Sequence, residues 1–258
     1  MNIKIIDFYY FSGTGNTYLI VEKAKKVFEK NNFKVNLYRL EKSNPKNIDV
    51  SHIIGLAFPV AVQSTYPFVW DFVKNFPNVE NTDIFMLDTL EMFSGAVVGP
   101  MKRILLKKGF NPIGAYEFKM PSNFLSKKEI NNKKIKGSLS QVETYISSII
   151  NNKSKWGRNP ILSDLLYYLV SNKVVWKVIS KYISPKVDEN KCVSCGLCEK
   201  ICPVNNITVD KYPVFNDSCQ ACMRCITYCP SDAISTKKND KNFYKALPIQ
   251  KIISGGVK

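Results

Sequence analysis

The chain has 258 residues, 45% of them hydrophobic, with 37 basic and 21 acidic side chains for a formal net charge of +16. That length allows one or two domains with a sizeable core. No apolar run approaches ~18 residues, so no membrane span is expected, and no cationic, apolar leader opens the sequence before Lys4 and Asp7, so an export signal is not expected either.

Residues 3–10 form a β-branched and aromatic run that reads as a buried strand. Ser12-Gly13-Thr14-Gly15-Asn16-Thr17 follows at once, and residues 18–30 then show helical periodicity through Leu19, Ile20, Ala24, Val27 and Phe28. Strand, hydroxyl- and glycine-rich turn, helix is a phosphate-binding arrangement, because backbone N–H groups converge at a helix N-terminus. The turn is not a Walker loop, and Tyr18 stands where a dinucleotide fingerprint needs its third glycine. A loop without charged residues suits a mononucleotide monophosphate held by neutral donors.

Further strands are predicted at about 34–40, 52–58, 84–88 and 113–119, with helices at about 66–76, 97–108 and 139–152. Five strands alternating with helices predict an α/β fold with a doubly wound parallel sheet. The lone histidine, His52, opens a predicted strand and reads as structural.

The pattern S-x-T-G-x-T after the first strand closely resembles the FMN phosphate loop of the flavodoxins. The resemblance implies strand order 2-1-3-4-5, with FMN at the ends of the first and third strands. It places Ser12, Gly13, Thr14, Gly15, Asn16 and Thr17 on the phosphate. It also implies that the loops after the third and fourth strands hold the isoalloxazine ring. The candidates there are Pro59, Val60, Ala61 and Tyr66 in one loop, and Thr89, Leu90, Glu91, Met92, Phe93, Ser94 and Gly95 in the other. Tyr66, Met92 and Phe93 are the flat apolar candidates, each equally well explained by packing. Met120-Pro121-Ser122-Asn123-Phe124 resembles a motif after the last strand of flavodoxin domains fused to ferredoxins, which adds Asn123 on the flavin side.

After Asn159-Pro160, residues 161–183 fit one long helix ending before Pro185, with Lys173, Lys177 and Lys181 in a basic stripe. A linker helix packed against both modules is favoured over an amphipathic membrane-surface helix.

All eight cysteines lie beyond this helix, in two runs offset by 27 residues: Cys192, Cys195, Cys198, Cys202 before Pro203, and Cys219, Cys222, Cys225, Cys229 before Pro230. Each run reads C-x2-C-x2-C-x3-C-P, the spacing of bacterial iron–sulfur ligation, in which the fourth cysteine serves the other run's cluster. Zinc sites pair CxxC units without this quartet spacing, and a disulfide framework needs an export signal. Residues 187–236 resemble the two-cluster bacterial ferredoxins. Two [4Fe–4S] clusters are expected, one on Cys192, Cys195, Cys198 and Cys229, the other on Cys219, Cys222, Cys225 and Cys202. Free thiols fit a reducing cytoplasm.

Net charge is +7 over residues 1–150, +6 over 151–186, −2 over 187–236 and +5 over 237–258. A basic surface can attract acidic proteins, anionic lipid or nucleic acid, but a composition biased toward lysine wherever a solvated residue will do is the favoured explanation; redox partner proteins, acidic ones among them, are the expected partners. Nucleic acid is disfavoured because no binding signature accompanies the charge. The lysine-rich tail from Lys237 reads as partly disordered.

Taken together, the chain resembles a flavodoxin–ferredoxin fusion: residues 1–153 a flavodoxin-like FMN domain, 154–186 a helical connector, 187–236 a small α+β ferredoxin domain, 237–258 a basic tail. The expected role is electron transfer between FMN, the clusters and redox partners. A flavin-dependent reductase with its own small-molecule substrate is one alternative, and a redox sensor binding membrane or nucleic acid is another. A carrier is favoured over an enzyme.

Overall fold

The computed structural model describes residues 3–123, 128–157, 162–170, 173–236 and 243–254. Its first half is a five-stranded sheet of β1 (Ile5–Tyr10), β2 (Lys34–Arg39), β3 (Ile53–Pro59), β4 (Asp83–Leu90) and β5 (Asn111–Lys119). All neighbours pair in parallel, in the order β2-β1-β3-β4-β5. This is the flavodoxin-like order, with its switch point between β1 and β3. The central strands are buried almost throughout, as a parallel sheet covered on both faces requires.

Side-chain alternation divides the core into two layers. On one face, Phe8, Phe85 and Phe28 pack with Val142 and Ile146. These come from the sheet, α1 (Asn16–Lys30) and α4 (Lys128–Ile150). On the other face, Leu56 and Met86 pack with Trp70 and Met101, from α2 (Pro67–Lys74) and α3 (Val98–Lys107). Pro67 opens α2, where its missing N–H would have had no helical partner. One acid interrupts the second layer. Asp88 in β4 is fully buried and neither carboxyl oxygen has a hydrogen-bond partner. It lies beside Glu117 of β5 in the sheet register.

The helix predicted from residue 139 begins at Lys128. The long connector helix is described as α5 (Leu162–Val170) and α6 (Lys173–Tyr182); residues 161, 171 and 172 lie outside the described residues. The cysteine module follows as two small antiparallel pairs: β6 (Pro185–Val187) with β9 (Ile234–Thr236), and β7 (Ile207–Val209) with β8 (Pro213–Phe215). The sequence repeat is a structural one. Helix α7 (Leu197–Lys200) recurs as α8 (Arg224–Thr227). Left-handed residues recur at the same offset: Ser194 with Ala221, Gly196 with Met223, Asn205 with Asp232.

The tail departs from expectation. Residues 243–254 do not run free; they pack on the first module and end in α9 (Ile249–Ser254). Ile252 is fully buried beside β1 and α1, and Tyr10 donates a hydrogen bond to its carbonyl at 3.1 Å. Burying an isoleucine contributes ~1.5–3 kcal/mol, and Tyr244 and Ile249 are buried with it. Residues 237–242 and 255–258 lie outside the described residues.

Candidate functional site

The loop after β1 is ordered from within. Ser12 Oγ accepts from the N–H groups of Gly15 (3.2 Å) and Tyr18 (3.3 Å), which folds the turn onto the start of α1. Gly15 caps that helix at φ 105°, a left-handed conformation that costs little only for glycine. A Cβ there would also meet Ala246 at 2.9 Å, so Gly15 lets the tail close on the loop. Thr14 Oγ1 donates to Asn123 Oδ1 (2.7 Å), Asn16 Nδ2 donates to the Pro121 carbonyl (2.9 Å), and the Thr17 and Thr89 hydroxyls share a hydrogen bond at 2.8 Å. The loop is thereby tied to the ends of β4 and β5, and Asn123 is placed against the residues it was expected to join. Phe124 lies outside the described residues.

These residues line one cleft at the C-terminal edge of the sheet. Ser12, Gly13, Thr14, Asn16 and Thr17 form one end; Pro59, Val60, Ala61, Tyr66, Thr89, Leu90, Glu91 and Asn123 form the walls. Met92, Phe93, Ser94 and Gly95 were expected there, and the structure places them elsewhere. Met92 and Phe93 point outward, 67% and 56% exposed. Ser94 donates to the Glu117 carboxylate, and Gly95 packs against Leu166 while its N–H donates to the Gln63 carbonyl. The β3 loop explains the change. Ala61 and Ser64 close a tight turn through Val62 and Gln63, both at positive φ, and that turn draws residues 95 and 96 toward it instead of the cleft.

Three further groups of residues line the cleft; Met120, Pro121 and Ser122 belong to the motif that pointed to Asn123, and the others carried no local signal. Val62, Met120, Pro121 and Ser122 come from the first module, Trp176, Ile179 and Ile183 from the connector, and Gln220, Ala221 and Met223 from the second cysteine run. The aromatic–Lys pattern of α6 showed an apolar side but not what it would cover. Trp176 is 4% exposed and stacks obliquely on Tyr66, ring centroids 5.8 Å apart. Burial pushes the Tyr66 hydroxyl far above its ordinary range. His52 is held between Asp7 (3.0 Å) and Asp49 (3.6 Å), away from the cleft.

The structure brings four of the cysteines together. Cys202, Cys219, Cys222 and Cys225 line one small, mostly apolar cavity, with Ile183, Ile207, Phe215 and Ile226 around them. Cys198 packs with Cys225 and Cys229 against the small cluster of Met223, Ile226 and Ile234. Backbone N–H groups point at sulfur: Asn206 to Cys202 (3.2 Å), Ala221 to Cys219 (3.4 Å) and Ala233 to Cys229 (3.3 Å). Such bonds stabilise thiolates and tune a cluster's potential. Among the described residues no group of three His, Cys, Asp or Glu side chains closes on a single ion. A four-iron cubane needs a wider cage than one ion. Burial pushes the Cys222 thiol up to about 12 and Cys225 well above its ordinary value. Ligation must therefore displace protons that the dry site otherwise retains.

Arg224 joins the modules. It is 2% exposed. Its Nε and Nη2 donate to the Ser12 carbonyl (3.2 and 2.8 Å), and its Nη1 to Glu41 Oε1 (2.8 Å) and the Ile201 carbonyl (3.2 Å). Its guanidinium carbon lies 4.5 Å from the centre of the Phe11 ring. Nearby, Gln220 Oε1 accepts from the Phe68 N–H at 3.1 Å.

A 4Fe-4S binding domain family matches residues 185–208, and the LdpA Fe-S cluster-binding domain family matches residues 198–240. The chain is 38% identical over 53 residues to a ferredoxin-like protein in the vnf region of Azotobacter vinelandii, covering 18% of this chain and 82% of that protein. The chain belongs to the 4Fe-4S ferredoxin family. Pyruvate synthase subunit PorD of Methanocaldococcus jannaschii is 33% identical to this ferredoxin over 60 residues, covering 22% and 70% of the two chains. An uncharacterized protein of the same organism is 38% identical over 60 residues, 23% of this chain; the match spans only 24% of that protein's own length. Among solved structures, a flavodoxin from the domain Archaea covers 57% of this chain and 99% of its own at 11% identity, TM-score 0.40. Megasphaera elsdenii flavodoxin covers 53% and 98% at 19% identity, TM-score 0.38. The strand order carries the flavodoxin-like assignment. The ferredoxin is fused to a flavodoxin-like module, and iron–sulfur and flavodoxin-like domains in one chain indicate electron transfer. Among the described residues no helix is long and apolar enough to cross a membrane.

Proposed function

We propose that this chain relays electrons between FMN held in the cleft and two [4Fe–4S] clusters held by the eight cysteines, and exchanges them with redox partner proteins. The observation that carries the reading is the composition of the cleft: both modules and the connector build its walls. A cofactor in it would be walled on one side by the cysteine module rather than open to a diffusing substrate, which favours a relay over a reductase with its own small-molecule substrate.

The residues fit FMN. Neutral hydroxyls and amides at the N-terminus of a 15-residue helix suit a phosphate, and Glu91 is the one carboxylate among the cleft's described lining residues. Two buried polar atoms of lining residues, Asn16 Oδ1 and Trp176 Nε1, have no partner, and a polar, aromatic ligand would supply them. The cysteine sets supply four soft thiolates each, as a cubane requires. Bound FMN exchanges two electrons in single steps, while a cubane passes one. The protein's part is to hold the phosphate with Ser12, Thr14 and Thr17, to exclude water with Tyr66 and Trp176, and to keep the two modules in fixed contact through Arg224.

Protein purified without oxygen should contain one FMN and about eight iron and eight sulfide per chain. Thr14→Asp should lose flavin by charge repulsion while retaining iron. Zinc without sulfide, FAD in place of FMN, or full FMN retention by Thr14→Asp would overturn the assignment.

A further inference from the structure

The proposed ligation sorts the eight cysteines into two sets, and only one of them borders a space next to the cleft. Cys202, Cys219, Cys222 and Cys225 line a cavity whose wall includes Ile183, Gln220, Ala221 and Met223. Those same four residues line the cleft. The two spaces are thus separated by one layer of protein. The loop of the first module touches the other side of this layer: a Cβ on Gly13 would come within 2.4 Å of the Cys222 carbonyl oxygen. No cysteine lines the cleft itself, and none of Cys192, Cys195, Cys198 or Cys229 lines the cavity behind the shared wall. Cys195 is exposed, and its neighbour Val193 is 64% exposed.

Resting on the functional reading above, we infer that the two clusters have fixed and different stations. Cys202, Cys219, Cys222 and Cys225 hold the inner cluster, the one that serves the cleft across the Gln220–Met223 wall. Cys192, Cys195, Cys198 and Cys229 hold the outer one. Gln220 is a positioning residue in that wall, since its side chain is bonded to the Phe68 N–H of the flavodoxin-like module. The two runs share a spacing and a local fold, so the asymmetry comes from docking alone.

A charge in the shared wall must act on both neighbours of the wall. Gln220→Glu is isosteric and keeps the acceptor oxygen for Phe68. Its added negative charge opposes reduction of any group beside it, so potentials there fall. In an anaerobic redox titration of the full chain, followed by flavin absorbance and by the magnetic resonance of the clusters, Gln220→Glu should lower the potential of the flavin and of one cluster. Val193→Glu, on the exposed side, should lower the other cluster and leave the flavin where it was. Should Gln220→Glu not take up its cofactors, Ile183→Lys tests the same wall with the opposite sign, raising the same two potentials. The assignment falls if the wall variants leave the flavin potential unchanged, or if they shift the cluster that Val193→Glu shifts. Flavin and iron analysis of the unaltered protein separates the cases. Missing FMN or iron there would sink the relay itself, whereas full cofactor content with the wrong pattern of shifts would sink only the order of the clusters.

Discussion

Arg224 and Glu41 are separated by 183 residues of chain and by 2.8 Å in space, each side chain about 2% exposed. Glu41 sits in a short 3-10 turn (Leu40–Lys42) just after β2, and its other oxygen, Oε2, has no partner. A buried pair of this kind adds little net stability by itself, but losing one member leaves a charge stranded in a dry place. Glu41→Gln should therefore weaken the docked state by about 3–5 kcal/mol, read as a lower denaturant midpoint for loss of the cluster absorbance. The double variant Glu41→Met with Arg224→Met should recover much of that. A double variant no better than either single change would show that Arg224 matters for its bonds to Ser12 and Ile201 more than for its charge.

Gly13 faces a backbone atom, not a flexible side chain. Alanine at 13 would press on the Cys222 carbonyl, and neither loop has room to retreat without breaking the Arg224–Ser12 bonds. Gly13→Ala is expected to loosen the docking of the modules while leaving each folded. Proteolysis in residues 154–160 should speed up several-fold, and reduction of the flavin after rapid reduction of the clusters should slow. Unchanged rates in both assays would mean the contact yields cheaply.

Trp176 should matter to flavin retention. Trp176→Phe keeps an aromatic roof over the cleft but deletes the unpartnered Nε1–H. Losing one hydrogen bond of ordinary net strength, about 1 kcal/mol, corresponds to a roughly fivefold weaker hold on FMN. Flavin fluorescence released on serial dilution measures it. Equal retention would show that the indole N–H does not meet the flavin.

The sheet, the phosphate loop and the cysteine sets were legible because each is local. Alternating apolar runs, a six-residue turn and fixed cysteine spacings need no knowledge of distant residues. What joins the parts was not legible. Arg224 looks in the sequence like one basic residue among cysteines, and nothing near it names Glu41 or Ser12. Trp176 announced an apolar helix side but not the cleft beneath it. The docking of the tail was not legible because its lysines dominate its composition, while Tyr244, Leu247, Ile249 and Ile252 carry the contacts. Met92 and Phe93 show the opposite case: flat apolar residues in the expected loop stand exposed, while residues 95 and 96 of the same loop bond to the Gln63 carbonyl.

Asp88 makes a pH signature. Burial, then the neighbouring Glu117, raises its pKa well above the ordinary 3.8, and burial raises Glu117 too. The fold thus favours the protonated carboxyls. Their contribution to stability is complete below the ordinary carboxylate range and is lost as pH rises through the raised values. Denaturant midpoints should fall as pH climbs from about 4 toward those values, and Asp88→Asn should flatten that slope. A wild-type slope of the opposite sign in this window would mean that Asp88 finds a cation or donor in solution.

The roof over the cleft also imposes a schedule on maturation. Trp176, Ile183 and the Gln220–Met223 loop come late in the chain, and the loop is shaped by the cysteines that must first be filled with iron. On the relay reading, a newly made chain whose cysteines are still empty would hold the doorway to the cleft less firmly. Flavin would enter quickly at that stage and leave as quickly. If the inner set holds a cubane, filling it would steady the loop, and the residence time of the flavin would become the measure of a finished molecule. Damage to the inner cluster by oxygen would then be reported as flavin leaking into the medium.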